Sequence, residues 1–206
     1  MSIRGFFKHL YTKPTEGLLP APRVKVRLAE IADQDEYAVY SAVLDTKYSV
    51  DKPGRFVIAA ETTSLGKGAF IGVWHGRARG KAKKPEVEGL TSTDFENKNQ
   101  DTYRLADRFV SSIPCTLAAE DDLRQLFFHE RQDEADNGGW RRFRTGYRGA
   151  RGILAFSRVG FDPAKTEALV HVEYQKDFRD GFGASFVLSR EGTNWQVVSE
   201  VLQWLS

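Results

Sequence analysis

The sequence predicts an α+β fold, and its C-terminal quarter carries the clearest signal. Four apolar segments rich in Val, Phe, Tyr and Trp follow one another there, at residues 152–161, 167–174, 183–190 and 194–204. Asp-Pro, Asp-Gly and Glu-Gly-Thr-Asn turns separate them, a pattern typical of consecutive antiparallel strands. Because helical patterns precede them, we expect a C-terminal antiparallel meander with helices packed on one face, as in cystatin or nuclear-transport-factor type folds.

Length, charge and cysteine content limit the class of protein. The chain has 206 residues, and its 30 basic and 28 acidic side chains give a formal charge of +2, which argues against a globally basic nucleic-acid binder. Its single cysteine, Cys115, excludes an internal disulfide and a Cys-rich zinc site. One thiol fits a reducing compartment, and it also fits a secreted protein that needs no disulfide. We expect no cofactor, and we expect a cytoplasmic location because no signal peptide is recognised.

The N-terminal end is interpreted separately from the rest of the chain. Residues 1–22 are assigned to an N-terminal segment with a Pro-containing connector, and residues 23–206 to a single α+β domain. Lys8 and His9 interrupt the apolar residues near the start, so neither a signal peptide nor a transmembrane segment is predicted. A membrane-surface helix is the alternative to a short packed helix or a disordered start.

The central part of the chain predicts helices and strands. Asp33 and Glu36 form a potential capping box, and a helix follows with one apolar face made of Tyr37, Tyr40, Leu44 and Tyr48. Two further helices are predicted over residues 102–111 and 119–129. Apolar runs predict strands over residues 24–28 and 55–62, and a strand or loop over residues 69–74.

Motifs for catalysis are few. His129, Glu130 and Asp133 resemble the His-Glu-x-x-His helix of metalloproteases, but the second histidine is missing. Cys115 could be a nucleophile with His129 or His171 as its base, or it could be a small buried hydrophobic residue. No Gly-x-Ser-x-Gly elbow, phosphate-binding loop or Gly-x-Gly-x-x-Gly fingerprint occurs.

Residues 139–152 combine aromatic and arginine side chains. They include Trp140, Phe143 and Tyr147 beside Arg141, Arg142, Arg144, Arg148 and Arg151. Such a surface could bind single-stranded nucleic acid or an acidic protein through stacking and charge. Alternatively, the three aromatic residues have helical spacing and could form a buried stripe with the arginines outside. Residues 76–84 add five positive charges that could contact phosphates.

The predicted sheet contains an arginine on an apolar face and a last strand that is apolar on both faces. Arg158 shares a strand face with apolar Leu154 and Phe156, so it needs a carboxylate, which Glu173 or Glu200 could supply from neighbouring strands. His171 is expected to face solvent or lie at an edge of the sheet. The last strand, residues 194–204, is apolar on both faces, so it is either central or covered, and a dimer would be the simplest cover for an edge strand.

The C-terminal region resembles a widespread family of uncharacterised bacterial proteins. The resemblance rests on residues 147–161, Tyr-Arg-Gly-Ala-Arg-Gly-Ile-Leu-Ala-Phe-Ser-Arg-Val-Gly-Phe, on Ala168-Leu169-Val170 and on the terminal Trp204-Leu205-Ser206. In that family an aromatic helix leads through a Tyr-Pro-Gly-like turn into a Ser-Arg-Val-Gly-Phe strand, and the chain closes on a Trp-Ile-Ser-like end. This chain has Arg148 where the family tends to have proline, and it lacks the paired cysteines of some relatives. The resemblance implies a shared α+β fold and no particular activity.

The sequence therefore favours a non-catalytic binding or interaction protein. Its predicted binding residues are Arg141, Arg142, Arg144, Tyr147 and Arg148, and the expected partner is an acidic protein or nucleic acid. The alternative is a small hydrolase or metal-dependent enzyme that uses His129, Glu130 or His171. The oligomeric state is open, with a dimer as one possibility.

Overall fold

The computed structural model describes residues 28–49, 54–64, 85–127, 138–177 and 180–206. Several sequence predictions concern other parts of the chain and lie outside these described residues. They are the N-terminal segment and connector, nearly all of the strand over residues 24–28, the segment 69–74, the basic loop 76–84, and His129 and Glu130.

The described residues form four helices and seven strands, so the predicted α+β class is confirmed. The helices are α1 Gln34–Tyr48, α2 Gly89–Lys98, α3 Glu120–Phe127 and α4 Gly138–Gly146. The strands are β1 Arg55–Ala59, β2 Cys115–Ala118, β3 Ala150–Phe156, β4 Gly160–Phe161, β5 Glu167–Asp177, β6 Asp180–Glu191 and β7 Asn194–Leu205. They build one sheet in the order β2-β1-β3-β5-β6-β7, and β4 pairs with β5 beside this path.

The sheet combines a predicted meander with an unpredicted parallel part. Strands β3, β5, β6 and β7 pair antiparallel in succession, as the turn signals indicate. The first predicted strand is interrupted at residues 157–159, which separate β3 from β4. Strand β1 runs parallel to both β2 and β3. The edge strands differ in length, because β2 has 4 residues and β7 has 12.

Helices pack on both faces of this sheet. Leu154 and Phe156 of β3 belong to the apolar cluster of α1, whereas Ile153 and Ala155 belong to the cluster of α3 and α4. The expectation of helices on one face, as in cystatin or nuclear-transport-factor type folds, is therefore wrong. The physical reason is that β1 and β3 carry apolar residues in both alternating sets, so each face has to be covered.

The start of α1 and the segment 102–111 each correct a local prediction. Asp33 caps α1 by accepting a hydrogen bond from Asp35 N at 3.0 Å, but Glu36 does not complete the capping box and points into the core instead. Residues 102–111 are not helical. Backbone bonds from Arg104 N to Ala29 O and from Leu105 N to Ala60 O hold this segment extended between other parts of the chain.

Helix α2 was not predicted because it lacks an apolar stripe. Thr91 is its one buried residue. Polar bonds attach it to the sheet: the Glu167 carboxylate accepts from Thr91 Oγ1 at 2.7 Å, and Asp94 accepts from Phe161 N at 2.8 Å. Helix stability supplied by tertiary hydrogen bonds leaves no periodic signal in the sequence.

Candidate functional site

The aromatic side of α4 is buried. Trp140 and Phe143 lie in the core with ring centroids 5.4 Å apart, and the Trp140 ring meets Phe127 of α3 at 5.0 Å. Tyr147 is half-buried, with its ring 5.3 Å from Phe143. These rings anchor α4 to the sheet, so Trp140 and Phe143 do not offer a surface on which bases could stack.

Two of the predicted binding arginines hold α4 in place. Arg142 Nε donates to Leu126 O at 2.7 Å and so satisfies a carbonyl in the last turn of α3. Arg144 is exposed and forms an ion pair with Asp177 at the end of β5. Arg141 is also exposed. The predicted residues therefore lie on one helix and the turn that follows it. Arg142 and Arg144 contact neighbouring elements of the fold.

Arg148 occupies a tight turn between α4 and β3. Ala150 N donates to Tyr147 O at 3.0 Å, and Gly149 has a φ of 77°, as the third residue of a type II turn requires. Arg148 is the second residue of this turn and is exposed. No hydrogen bond or ion pair of its guanidinium occurs within the described residues.

Arg55 lies next to this turn. It is the first residue of β1, and its Cα pairs with that of Ala150. Its Nε is buried and has no hydrogen-bond partner among the described residues. Burial raises the pKa of Tyr147, as does the negative charge of Asp122, while the positive charge of Arg55 opposes both. Arg55, Tyr147 and Arg148, here called the arginine site, therefore combine two guanidinium groups with a phenol. Arg55 was not predicted as a site residue, because the parallel pairing of β1 with β3 that brings it there leaves no local signal in the sequence.

His171 is half-buried between two side-chain oxygens. Its Nδ1 lies 3.4 Å from Ser185 Oγ on the paired strand, and its Nε2 lies 3.7 Å from Glu173 Oε1. His171 lies in the middle of the sheet on the face opposite α1, so it is not at an edge, and its side chain is 20% exposed. Cys115 is three strand positions away, about 14 Å at normal strand spacing, so the two do not form a nucleophile and base.

Cys115 behaves as a structural residue. Its Sγ donates to Ile113 O at 3.3 Å, and the side chain packs against the core cluster of α1. Burial raises the pKa of the thiol to about 11, with smaller contributions from Asp107 and Asp45. A thiol of this kind is a poor nucleophile at neutral pH.

Arg158 finds its carboxylate in α1. Its Nη2 lies 2.6 Å from Oε1 of Glu36, and its Nε lies 2.9 Å from Oε2. Neither Glu173 nor Glu200 is its partner, so that prediction is wrong: Glu173 lies beside His171, and Glu200 binds Lys47 at 2.6 Å. Hydrogen bonding to Glu36 raises the pKa of the Arg158 guanidinium against the opposing effect of burial.

Each residue of the Ser-Arg-Val-Gly-Phe motif has a structural task. Ser157 Oγ accepts from His171 N at 2.8 Å, and Val159 N donates to Glu36 at 3.0 Å. Gly160 admits α2, because a Cβ there would lie 2.4 Å from that of Phe95. Phe161 packs on Trp195 with centroids 5.5 Å apart. The motif is therefore a junction between α1, α2 and the sheet.

Carboxylates gather where β1 and β2 end. The pKa of Glu61 is raised to about 7 by burial and by the nearby carboxylates of Glu120 and Asp121, against a smaller opposing effect of Arg124. Glu61 follows β1, and Glu120 begins α3 shortly after β2. Parallel strands place their carboxyl ends at one edge of a sheet, so these acidic groups meet there.

Comparisons with family models, with curated proteins and with solved structures find no match to this chain. Within the described ranges, no group of three or more His, Cys, Asp or Glu side chains is placed to hold a metal ion. No helix in the described part of the chain is both long enough and apolar enough to cross a membrane.

Proposed function

We propose that this protein is a non-catalytic binding protein whose arginine site binds an acidic segment of a partner protein. The observation that carries the proposal is that the guanidinium groups of Arg55 and Arg148 have no hydrogen-bond or ion-pair partner among the described residues. Arg55 Nε is buried away from water, and no described residue accepts a hydrogen bond from it. A partner carboxylate would accept hydrogen bonds from the exposed Arg148 and the half-buried Arg55, and hydrogen bonds between charged groups are the strong ones.

An acidic protein suits the site better than nucleic acid does. Single-stranded nucleic acid is held by open aromatic rings as well as by charge, and Trp140 and Phe143 are buried. Duplex binding needs many phosphate contacts, which a chain of formal charge +2 with two guanidinium groups at the site supports poorly. Arg141 and Arg144 would add rim charge that steers an acidic segment toward the site. The cytoplasm is the compartment that fits the free thiol of Cys115.

Fluorescence anisotropy with labelled poly-L-glutamate tests the proposal. Changing Arg55 and Arg148 together to Gln removes two charged donors, and we expect affinity to fall at least about tenfold, since about 1.4 kcal/mol corresponds to that factor. Changing Arg104 and Arg108 together to Gln is the matched control, because it also removes two positive charges and both residues are exposed beside Glu30. Affinity should also fall with added salt.

The outcomes separate the alternatives. Equal loss of affinity in the Arg55 and Arg148 double variant and in the Arg104 and Arg108 double variant would mean that charge acts nonspecifically and would contradict the proposal. Tighter binding of a labelled oligothymidylate than of poly-L-glutamate would make nucleic acid the partner instead. The folding of every variant is checked by circular dichroism before affinities are compared.

A hydrolase that uses His171 is the second candidate. The specific observation is that Ser185 Oγ and Glu173 Oε1 flank the two ring nitrogens of His171 at 3.4 and 3.7 Å. Ser185 could attack an ester carbonyl while its proton passes to Nδ1, with Glu173 stabilising the imidazolium. Strand N–H groups around Ser185 are used in the sheet, which leaves few donors for an oxyanion. Hydrolysis of p-nitrophenyl acetate that Ser185→Ala abolishes would favour this function.

A further inference from the structure

Strand β7 is an edge strand of the sheet that the described residues form. It ends the order β2-β1-β3-β5-β6-β7, and no strand within the described residues pairs with its outer side. With 12 residues, it is about 40 Å long at normal strand rise. An unpaired edge presents a row of N–H and C=O groups that can pair with another strand. The sequence analysis expected this strand to be either central or covered.

The side chains of β7 do not protect this edge. Val198, Leu202 and Leu205 are 59%, 50% and 62% exposed. Glu200 is the one charged residue of the strand, and Lys47 of α1 holds it at 2.6 Å. Edge strands that remain solvent-exposed usually carry lysines or prolines, and β7 has neither.

We propose that β7 pairs antiparallel with β7 of a second copy of this chain, about a two-fold axis at Glu200. This register places Val198 opposite Leu202 of the second copy, and Trp195 opposite Leu205. In these two pairs, an apolar residue at one end of the strand meets an apolar residue from the other end. The two Glu200 carboxylates face one another, and the Lys47 of each copy offsets their charge.

The fold itself indicates a second copy as the occupant. The other edge strand, β2, has 4 residues and cannot match a 12-residue strand, so head-to-tail pairing of β7 with β2 would leave most of the edge open. Pairing of β7 with itself closes both long edges in one symmetric contact. Register shifts against β6 at Val198 and Gln203 leave residues 199–202 as the regular centre of the pairing.

The expected dimer is a weak one. An edge about 40 Å long and about 10 Å thick offers about 400 Å² per copy, or about 800 Å² in total, which lies below the range of stable specific interfaces. We therefore expect a concentration-dependent equilibrium, measured by sedimentation velocity between about 1 and 100 µM. The inference does not rest on the proposed function, because β7 contains none of the residues of the arginine site.

Charge on the edge should abolish the dimer. Val198→Lys combined with Leu202→Lys opposes like charges across the two-fold, so we expect a monomer at every concentration. Val110→Lys is the control, because Val110 is 85% exposed and lies outside the sheet. Circular dichroism establishes that both variants remain folded.

Crosslinking tests the register. With Cys115 changed to Ala, Glu200→Cys puts two thiols across the axis at about 5 Å between Cα atoms, and we expect a disulfide-linked dimer under mild oxidation. Leu205→Cys is the control, because its counterpart would be about 34 Å away. A wild-type monomer at about 100 µM would overturn the proposal. Crosslinking of the Leu205→Cys variant without crosslinking of the Glu200→Cys variant would overturn it as well.

Discussion

Arg158 and Glu36 form a buried ion pair that joins the C-terminal sheet to the first helix. The Glu36 side chain is fully buried, and it accepts hydrogen bonds from both the guanidinium of Arg158 and the backbone N of Val159. The guanidinium also lies 4.3 Å from the ring centroid of Tyr103. The interruption between β3 and β4 is therefore the point at which two layers of the fold are fixed to one another.

Removing the charge of Glu36 should strongly destabilise the protein. Glu36→Gln leaves the Arg158 cation buried without a counter-charge, and we expect the free energy of unfolding to fall by about 3 kcal/mol. Glu30→Gln, which removes an exposed partner of Arg104 and Arg108, should cost about 0.5 kcal/mol or less. Urea denaturation measures both. Similar losses in the two variants would show that the buried pair contributes no more than a surface pair.

A methyl group at Gly160 should disturb the contact with α2. Its Cβ would lie 2.4 Å from Phe95 Cβ and 2.5 Å from Phe95 N, and backbone atoms cannot move aside cheaply. We expect Gly160→Ala to cost about 2 kcal/mol. Gly146→Ala is the matched control, since no atom lies within 4 Å of that Cβ position, and alanine should be neutral or stabilising there. Thermal unfolding of both variants decides the matter, and an unchanged midpoint for Gly160→Ala would refute the steric argument.

Stability should depend on the ionisation of Glu61. Its pKa is raised to about 7 in the folded protein from 4.5, so the folded state binds the proton more tightly than the unfolded state does. The stabilisation of the folded state by the proton on Glu61 is present below about pH 4.5 and is lost as the pH rises through about 7. Because Glu61 is partly exposed, we expect Glu61→Gln to gain about 1 kcal/mol over wild type at pH 8.

The comparison at low pH supplies the control for Glu61. At pH 4 Glu61 is largely protonated in both the folded and the unfolded state, so Glu61→Gln and wild type should unfold at nearly equal urea concentrations. A constant difference between the two proteins at pH 4 and pH 8 would show that this carboxyl group does not titrate near neutrality.

Proline should be tolerated at position 148. Arg148 is the second residue of a type II turn, where proline has the preferred φ, so we expect Arg148→Pro to raise the free energy of unfolding by about 0.5 kcal/mol. The same change should weaken binding of poly-L-glutamate. Chemical denaturation and anisotropy on one preparation measure both effects. A destabilised variant would mean that Arg148 itself supports the turn.

Local signals in the sequence predict much of the fold. The four C-terminal segments, the cap at Asp33 and the apolar stripe of α3 are each encoded by neighbouring residues, and each is found. The parallel pairing of β1 with β3 joins residues almost a hundred positions apart, and no local pattern reports it. Helix α2 and the extended segment around Leu105 are likewise decided by distant hydrogen bonds.

The candidate site was predictable only in part for the same reason. Clustered arginines indicated α4 as a candidate surface, and a turn at Arg148 was implied only by the family resemblance. The burial of Trp140 and Phe143 was one of two interpretations that helical spacing allows. The contribution of Arg55 required the pairing of two strands, and the partner of Arg158 lies 122 residues away in α1.

The distance between Glu36 and Arg158 along the chain also sets the order of events at the ribosome. At roughly 5–20 residues per second, α1 emerges on the order of ten seconds before the residues that bury Glu36 are made. Throughout that interval its tyrosine face has only β1 and β2 of the sheet to pack against. Nascent chains of this protein are therefore expected to be clients of ribosome-associated chaperones until β3 and β5 have left the exit tunnel.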